Sequence, residues 1–185
     1  MRKLRVFNQV SLDGYFVDAR GDMSWAHKSD PQWNAFTAEN ARGGGTLLFG
    51  RVTYEMMASF WPTPAARERA PDVADAINRS LKVVFSRSLR EVKWSNTKLV
   101  KSGLEDEVRA LKRTAGSDLV VMGSGTIVTQ LAQANLVDEY QIVLNPIVLG
   151  DGRTMFEGLQ GTLSLKLADT RRFENGNVVL WYQPR

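Results

Sequence analysis

Apolar residues in this chain come in short blocks that switch between strand-like and helix-like spacing. Val6–Val10 reads as a strand, broken by Asn8 and Gln9 and followed by a turn at Asp13–Gly14. A second turn, Asp18–Asp22, precedes Trp25. Asp30–Pro31 has the signature of a helix start, with a capping carboxylate and then a proline at the first helical position. That signature predicts a helix through Trp33 and Phe36 to about Arg42, where Gly43–Gly44–Gly45 stops it. A strand at Thr46–Phe49 leads into a helix with Tyr54, Met57 and Ala58 on its core face. Trp61–Pro62–Thr63–Pro64 ends that helix, and a basic, proline-containing loop is predicted as far as Pro71.

Further along, the pattern predicts a short helix over Val73–Arg79, a strand Lys82–Phe85 and a polar turn at Ser86–Arg87–Ser88. Ser102–Gly103–Leu104–Glu105 fits a capping box for a helix striped by Leu104, Val108 and Leu111 and closed by Gly116. Asp118–Met122 is a continuous apolar strand of the kind buried on both faces in parallel sheets, and the helix Thr126–Ala134 follows it. Glu139–Leu144 and Leu163–Ala168 read as strands, and Asn175–Gly176 is a hairpin signal before the strand Val178–Tyr182. Early alternation and late antiparallel strands together predict an α/β fold with three αβα layers, a mixed central sheet and helices on both faces. No internal repeat or linker divides residues 1–185, so a single domain is expected.

Composition narrows the chemistry. The apolar share of 43% supports a sizeable core, and the absence of cysteine excludes disulfides and thiolate catalysis. One histidine, His27, argues against an all-protein zinc site, so no metal is expected. The N-terminus lacks a signal-peptide apolar core, and no run approaches membrane-spanning length, so the expectation is a cytoplasmic protein with no membrane partner. The net charge of +4 is spread along the chain instead of forming a basic stripe, which argues against nucleic acid and fits a pocket for a small anion as well as it fits solvated surface.

The most informative feature is a repeated architecture in which an apolar strand runs into glycine and then into a helix. It occurs at Thr46–Phe49–Gly50–Arg51 and again at Asp118–Met122–Gly123–Ser124–Gly125–Thr126. Glycine lets backbone approach a ligand closely, and a helix start offers free N–H groups and a positive dipole end. Two such turns in one domain, one with Arg51 beside it, form a cradle suited to a phosphorylated ligand.

At these residues the chain resembles a known family. Gly50–Arg51–x–Thr53 after a buried strand resembles the Gly-Arg-x-Thr turn of dihydrofolate reductase. Ser11–Leu12–Asp13–Gly14 resembles the Ser-x-Asp-Gly opening of the reductase domain of riboflavin biosynthesis. Gly123–Ser124–Gly125–Thr126, then Leu136–Glu139 and Pro146–Gly150, resemble the second half of that domain. In this order the motifs identify a dihydrofolate-reductase-like protein of the riboflavin-reductase C-terminal-domain family. The resemblance implies a mainly parallel sheet with a reverse-running C-terminal strand, and NADPH held across the carboxyl ends of the strands. Arg51 would then face the 2′-phosphate and Thr53 the pyrophosphate, with Ser86 and Arg87 as a second 2′-phosphate contact. Gly123, Ser124, Gly125, Thr126 and Ile127 would wrap the pyrophosphate. Ser124 stands where such reductases usually carry a second glycine, in a pair often joined by a cis peptide.

For catalysis the resemblance points to Asp30, which lies five residues after Trp25 as the pterin carboxylate of dihydrofolate reductases follows a tryptophan; its N-cap signature offers a structural role instead. Asn8 and Gln9 interrupt the first strand where related enzymes meet the substrate and nicotinamide rings, with Trp25, Phe16 and Trp61 as candidates for an apolar wall. Arg20, Arg67, Arg69 and Arg153 are candidates for a basic cluster at the mouth. The expectation is an NADPH-dependent reductase of a small heterocyclic compound, resembling the 5-amino-6-(5-phosphoribosylamino)uracil reductase of riboflavin biosynthesis or dihydrofolate reductase. The alternative is a nucleotide-binding module without turnover. A homodimer is implied as well, for which the Gln141–Leu149 run would suit a two-fold contact.

Overall fold

The computed structural model describes residues 1–123 and 125–185. Its strands are β1 (Leu4–Val10), β2 (Tyr15–Val17), β3 (Thr46–Gly50), β4 (Lys82–Phe85), β5 (Thr97–Val100), β6 (Leu119–Met122), β7 (Glu139–Leu144), β8 (Arg153–Thr154), β9 (Leu165–Arg172) and β10 (Val178–Pro184). The helices are α1 (Pro31–Arg42), α2 (Arg51–Phe60), α3 (Pro64–Arg69), α4 (Pro71–Arg79), α5 (Leu104–Arg113) and α6 (Gly125–Gln133). An eight-stranded sheet has the order β5-β4-β3-β6-β1-β7-β10-β9, and β2 pairs separately with β8. The strands from β5 across to β7 run parallel, while β10 is antiparallel to both β7 and β9. This is the expected mixed, three-layer fold.

The central strands are apolar on both faces because helices cover both. On one face, Val108 of α5 and Val128 and Leu131 of α6 pack over Leu4, Val6, Leu48 and Val121. On the other, Tyr54 of α2 and Ile77 of α4 pack over Leu47, Phe49 and Val84. Trp33 and Phe36 of α1 meet Val143 and Val179 farther along that second face. Burying each such side chain contributes about 1.5–3 kcal/mol, so the two layers together carry most of the stability.

The Asp30–Pro31 signature holds as a local structure. Asp30 is the N-cap of α1, its Oδ1 accepting from the Trp33 N–H at 2.8 Å, and the helix ends at Arg42. Other expectations need correction. The supposed loop after Trp61 folds into α3, because Thr63 caps it by accepting from Ala66 N–H and Pro64 takes its first turn. The capping box does not form: the N-cap of α5 is Gly103, in a left-handed conformation at φ 71°, with no side-chain cap. Ser102 therefore sits one residue outside the helix. The strand β5 lies at the sheet edge, with Lys98 exposed, and its short Thr-Lys-Leu-Val run gives no apolar block to find it by. Finally, β7 is hydrogen-bonded on both edges within the chain, so the Gln141–Leu149 run offers no free strand edge there for a two-fold contact.

The Ser11–Gly14 turn and the Pro146–Gly150 segment, far apart in sequence, are tied together by one carboxylate. Asp13 accepts from Ser11 Oγ–H at 2.6 Å and from the N–H groups of Leu149 and Gly150. The Ser11 hydroxyl first, and then these backbone donors, hold the Asp13 carboxyl at about 2, well below its usual value. A depressed folded-state pKa contributes stability that is present above the unfolded value, about 4, and lost as pH falls toward 2. Asp13→Asn is expected to lower the denaturation midpoint at pH 7 and to flatten the acid dependence in that window. Urea melts of both proteins across the window check this.

Candidate functional site

Parallel strands place their carboxyl ends on one rim of the sheet, and the two glycine turns leave adjacent strands there. β3 and β6 are hydrogen-bonded neighbours, with Leu47 opposite Val120 and Leu48 opposite Val121. β3 enters α2 at Gly50, an extended N-cap without a side-chain cap, so among the described residues no side chain caps the first N–H groups of that helix. β6 reaches Gly123, which has a left-handed φ of 79°, and α6 starts at Gly125. The two turns touch. A methyl group on Gly123 would lie 3.1 Å from Thr53 Cγ2 and 3.2 Å from its Oγ1. One on Gly125 would meet Phe16 at 3.1 Å and the Met155 carbonyl oxygen at 3.2 Å. Thr53 therefore closes on Gly123, while Phe16 and the Thr154–Met155 backbone close on Gly125, so neither position has room for a side chain. Thr126 and Ile127 follow in the first turn of α6 and line the same cavity. Ser124, and with it the Gly123–Ser124 peptide bond, lies outside the described residues.

Cations follow three adjacent parallel strands in turn: Arg51 after β3, Arg87 after β4 and Lys101 after β5, all on the cavity wall. Arg51 Nη1 pairs with Glu55 Oε2 at 2.9 Å, both side chains about half exposed. Such a pair is worth about 0–1 kcal/mol, so a phosphate can take the guanidinium from it. Arg87 is exposed and forms no ion pair or hydrogen bond among the described residues. Ser86 Oγ serves its own turn, accepting from Leu89 N–H at 3.0 Å and Ser88 N–H at 3.3 Å. Sequence reasoning missed Lys101. The signal was its place directly after a strand, but that strand was itself illegible.

The cavity has a volume of about 980 Å³ and runs from these turns along the sheet face to α1. Among the described residues lining it are seven lysines and arginines and no aspartate or glutamate. Of the proposed mouth cluster, Arg69 and Arg153 line it, whereas Arg20 pairs with Asp18 and Arg67 with Asp75. Phe16 and Trp61 form part of the wall as expected, joined by Trp33; Trp25 does not. His27 stands at the rim, where desolvation and then the charge of Arg69 lower its pKa below the usual imidazole value.

Asp30 is not among the cavity-lining residues. Its second oxygen accepts from Asn175 N–H at 3.2 Å, so both oxygens serve backbone and the side chain fastens α1 to the β9–β10 hairpin. Asn8 and Gln9 do line the cavity. Asn8 is 5% exposed with its Nδ2 unpartnered, and Gln9 Oε1 is 3.5 Å from Asn145 Nδ2. Sequence reasoning also missed Gln141 of β7, which lines the cavity with its Oε1 buried and unpartnered. An unpaired buried polar group costs about 1–3 kcal/mol, a cost the fold bears at these amides with no partner of its own to offset it.

A mainly parallel α/β sheet with a reversed C-terminal strand, and a glycine-walled crevice at its carboxyl rim, is a dihydrofolate-reductase-like fold. Residues 2–179 match the RibD C-terminal domain, and the chain belongs to that family. It is 27% identical over 173 residues to the uncharacterized protein YyaP of Bacillus subtilis, covering 94% of this chain and 90% of the relative. A solved structure of a putative riboflavin biosynthesis protein from Shewanella sp. PV-4 is similar at TM-score 0.75 and 25% identity, over 100% of this chain and 99% of that one. Dihydrofolate reductase from Enterococcus faecalis, complexed with NADP(H), shares the fold at TM-score 0.67 and 16% identity, over 99% and 96% of the two chains.

Asp30→Ala is expected to destabilise the protein by about 1 kcal/mol through loss of the cap, while leaving dinucleotide affinity unchanged. Chemical denaturation and a cofactor titration on the same sample check both parts.

Proposed function

We propose that the protein is an NADPH-dependent reductase of a small heterocyclic compound. The observation that carries this reading is the contact of Thr53 with Gly123, which joins both strand–glycine–helix turns into one cradle beside three strand-end cations. The fit is stereochemical as well as electrostatic. The positive φ at Gly123 and the crowding at Gly125 keep both positions free of side chains, so a pyrophosphate would meet bare backbone at the start of α6. Arg51, Arg87 and Lys101 would hold the 2′-phosphate, and the Thr53 hydroxyl a pyrophosphate oxygen. When bound, the nicotinamide supplies the hydride. Phe7 and Met122 give that part of the cavity an apolar floor, which orients a flat ring and keeps water from it. With no carboxylate among the described lining residues, the proton for the reduced atom comes from solvent or from His27 at the rim.

The missing acid also favours a second reading, a nucleotide-binding module without turnover. Steady-state oxidation of NADPH with any heterocyclic substrate excludes it. The family resemblance further implies a homodimer, which light scattering at micromolar concentration tests.

The cofactor reading is checked by titrating the protein with NADPH and NADH and following tryptophan fluorescence. NADPH is expected to bind the more tightly. Arg51→Ala should weaken NADPH by about tenfold, equivalent to about 1.4 kcal/mol, and leave NADH unaffected. Equal affinity for the two dinucleotides, or an unchanged NADPH constant in the variant, overturns the 2′-phosphate assignment.

A further inference from the structure

The cavity continues past the cofactor cradle. Across the sheet, Met122 of β6 is in register with Phe7 of β1, Phe7 with Gln141 of β7, and Gln141 with Trp181 of β10. The carboxamide of Gln141 thus stands in an otherwise apolar row, between Phe7 and Trp181, two strands beyond the one that carries Gly123. Adjacent strands are about 4.8 Å apart, so Gln141 lies about 10 Å from the cradle's own strand. A ring bound at Gln141 would therefore lie beside the cradle and not on it.

Gln141 is 1% exposed, and its side chain makes no hydrogen bond among the described residues. The buried amides Asn145 and Asn177 also leave polar atoms unpaired, but neither lines the cavity. Asn8 lines it with Nδ2 unpaired, yet it alternates to the face of β1 opposite Phe7, beside Gly123, whereas Gln141 is in register with Phe7. Along the same face, Glu139 is already occupied, its Oε1 2.6 Å from Arg5 Nε. The neighbouring amide Gln9 has its oxygen near Asn145 Nδ2. Gln141 is therefore a free and neutral carboxamide at the floor of the substrate half, facing the gap closed by Trp33, Asn34 and Thr37 of α1.

We propose that Gln141 is the specificity-determining residue of the substrate half, and that it reads a lactam edge. This rests on the reductase reading above. A carboxamide presents one acceptor and one pair of donors side by side. Its complement is a planar ring with an adjacent C=O and N–H, which pairs with it through two hydrogen bonds in one plane. A carboxylate or phosphate offers no donor to the Gln141 oxygen, and a purely apolar ring leaves both ends of the amide unpaired. Gln141 makes this discrimination without taking part in proton or hydride transfer.

The test uses full-length protein saturated with NADPH and two fluorescent probes, 2-quinolone and N-methyl-2-quinolone. They differ in the lactam N–H. Wild-type protein should bind 2-quinolone about tenfold more tightly than its N-methyl analogue, the worth of one good hydrogen bond. Gln141→Met, close in size and shape, should bring the two affinities together, with an unchanged NADPH constant and a melting temperature equal to or above wild type. Gln141→Leu is the second variant and should do the same. A purely structural Gln141 would instead lower the melting temperature and leave the discrimination intact, which overturns the proposal. So does equal affinity of wild type for both probes, or no binding of either at their solubility limit. Failure of the reductase reading is separate: NADPH would not bind, while the probes, tested without it, would still be told apart.

Discussion

Everything in the site depends on β3 and β6 being parallel neighbours. Because they are hydrogen-bonded side by side, the turns that leave them emerge next to each other at the same rim of the sheet. Two helix starts, those of α2 and α6, are thereby aimed into one crevice. Separate loops could not hold two such turns in van der Waals contact, since each would have to be ordered against its own conformational entropy. The buried rows of Leu47, Leu48, Val120 and Val121 pin both turns at once. Glycine at position 123 is then imposed twice, by its left-handed φ and by the Thr53 side chain pressed against it.

The same sheet makes the two halves of the cavity chemically unlike. Over β3, β4 and β5 the lining is cationic, because the residues that leave the three strands are Arg51, Arg87 and Lys101. Over β1 and β7 the lining is Phe7, the neutral amides Asn8, Gln9 and Gln141, and Arg5, whose charge is paired with Glu139. A ligand that spans both must carry its negative charge at one end and hydrogen-bonding heteroatoms at the other. The unsatisfied amides tell which end is which, since amides left dry and unpaired are costly unless something completes them.

Legibility followed how local each signal was. The α1 helix could be read residue by residue, because an N-cap aspartate and an N1 proline act within one turn. The buried strands β3 and β6 and the Asn175–Gly176 hairpin were equally local. The α3 helix carries the same kind of signature at Thr63–Pro64, yet the surrounding prolines and charges masked it as loop. β5 was illegible because an edge strand need not be apolar on both faces. Lys101 and Gln141 were missed for another reason. A lysine after a strand, or a glutamine inside one, is ordinary sequence; each gains meaning only from what the register sets beside it.

Asp30 shows where motif spacing and physical role part company. The tryptophan-to-aspartate spacing of dihydrofolate reductases is present in Trp25 and Asp30, but both carboxylate oxygens here accept backbone N–H groups, one starting α1 and the other in the distant hairpin. A carboxylate spent on two backbone donors is held away from the cavity. The fold therefore keeps the residue while giving it the task of joining α1, and with it Trp33 and Phe36, to the β9–β10 hairpin. That junction seats α1 over the sheet, where Trp33 and Phe36 pack with Val143 and Val179. Asp30 thus bears on the part of the cavity that α1 lines through the position of a helix rather than through contact.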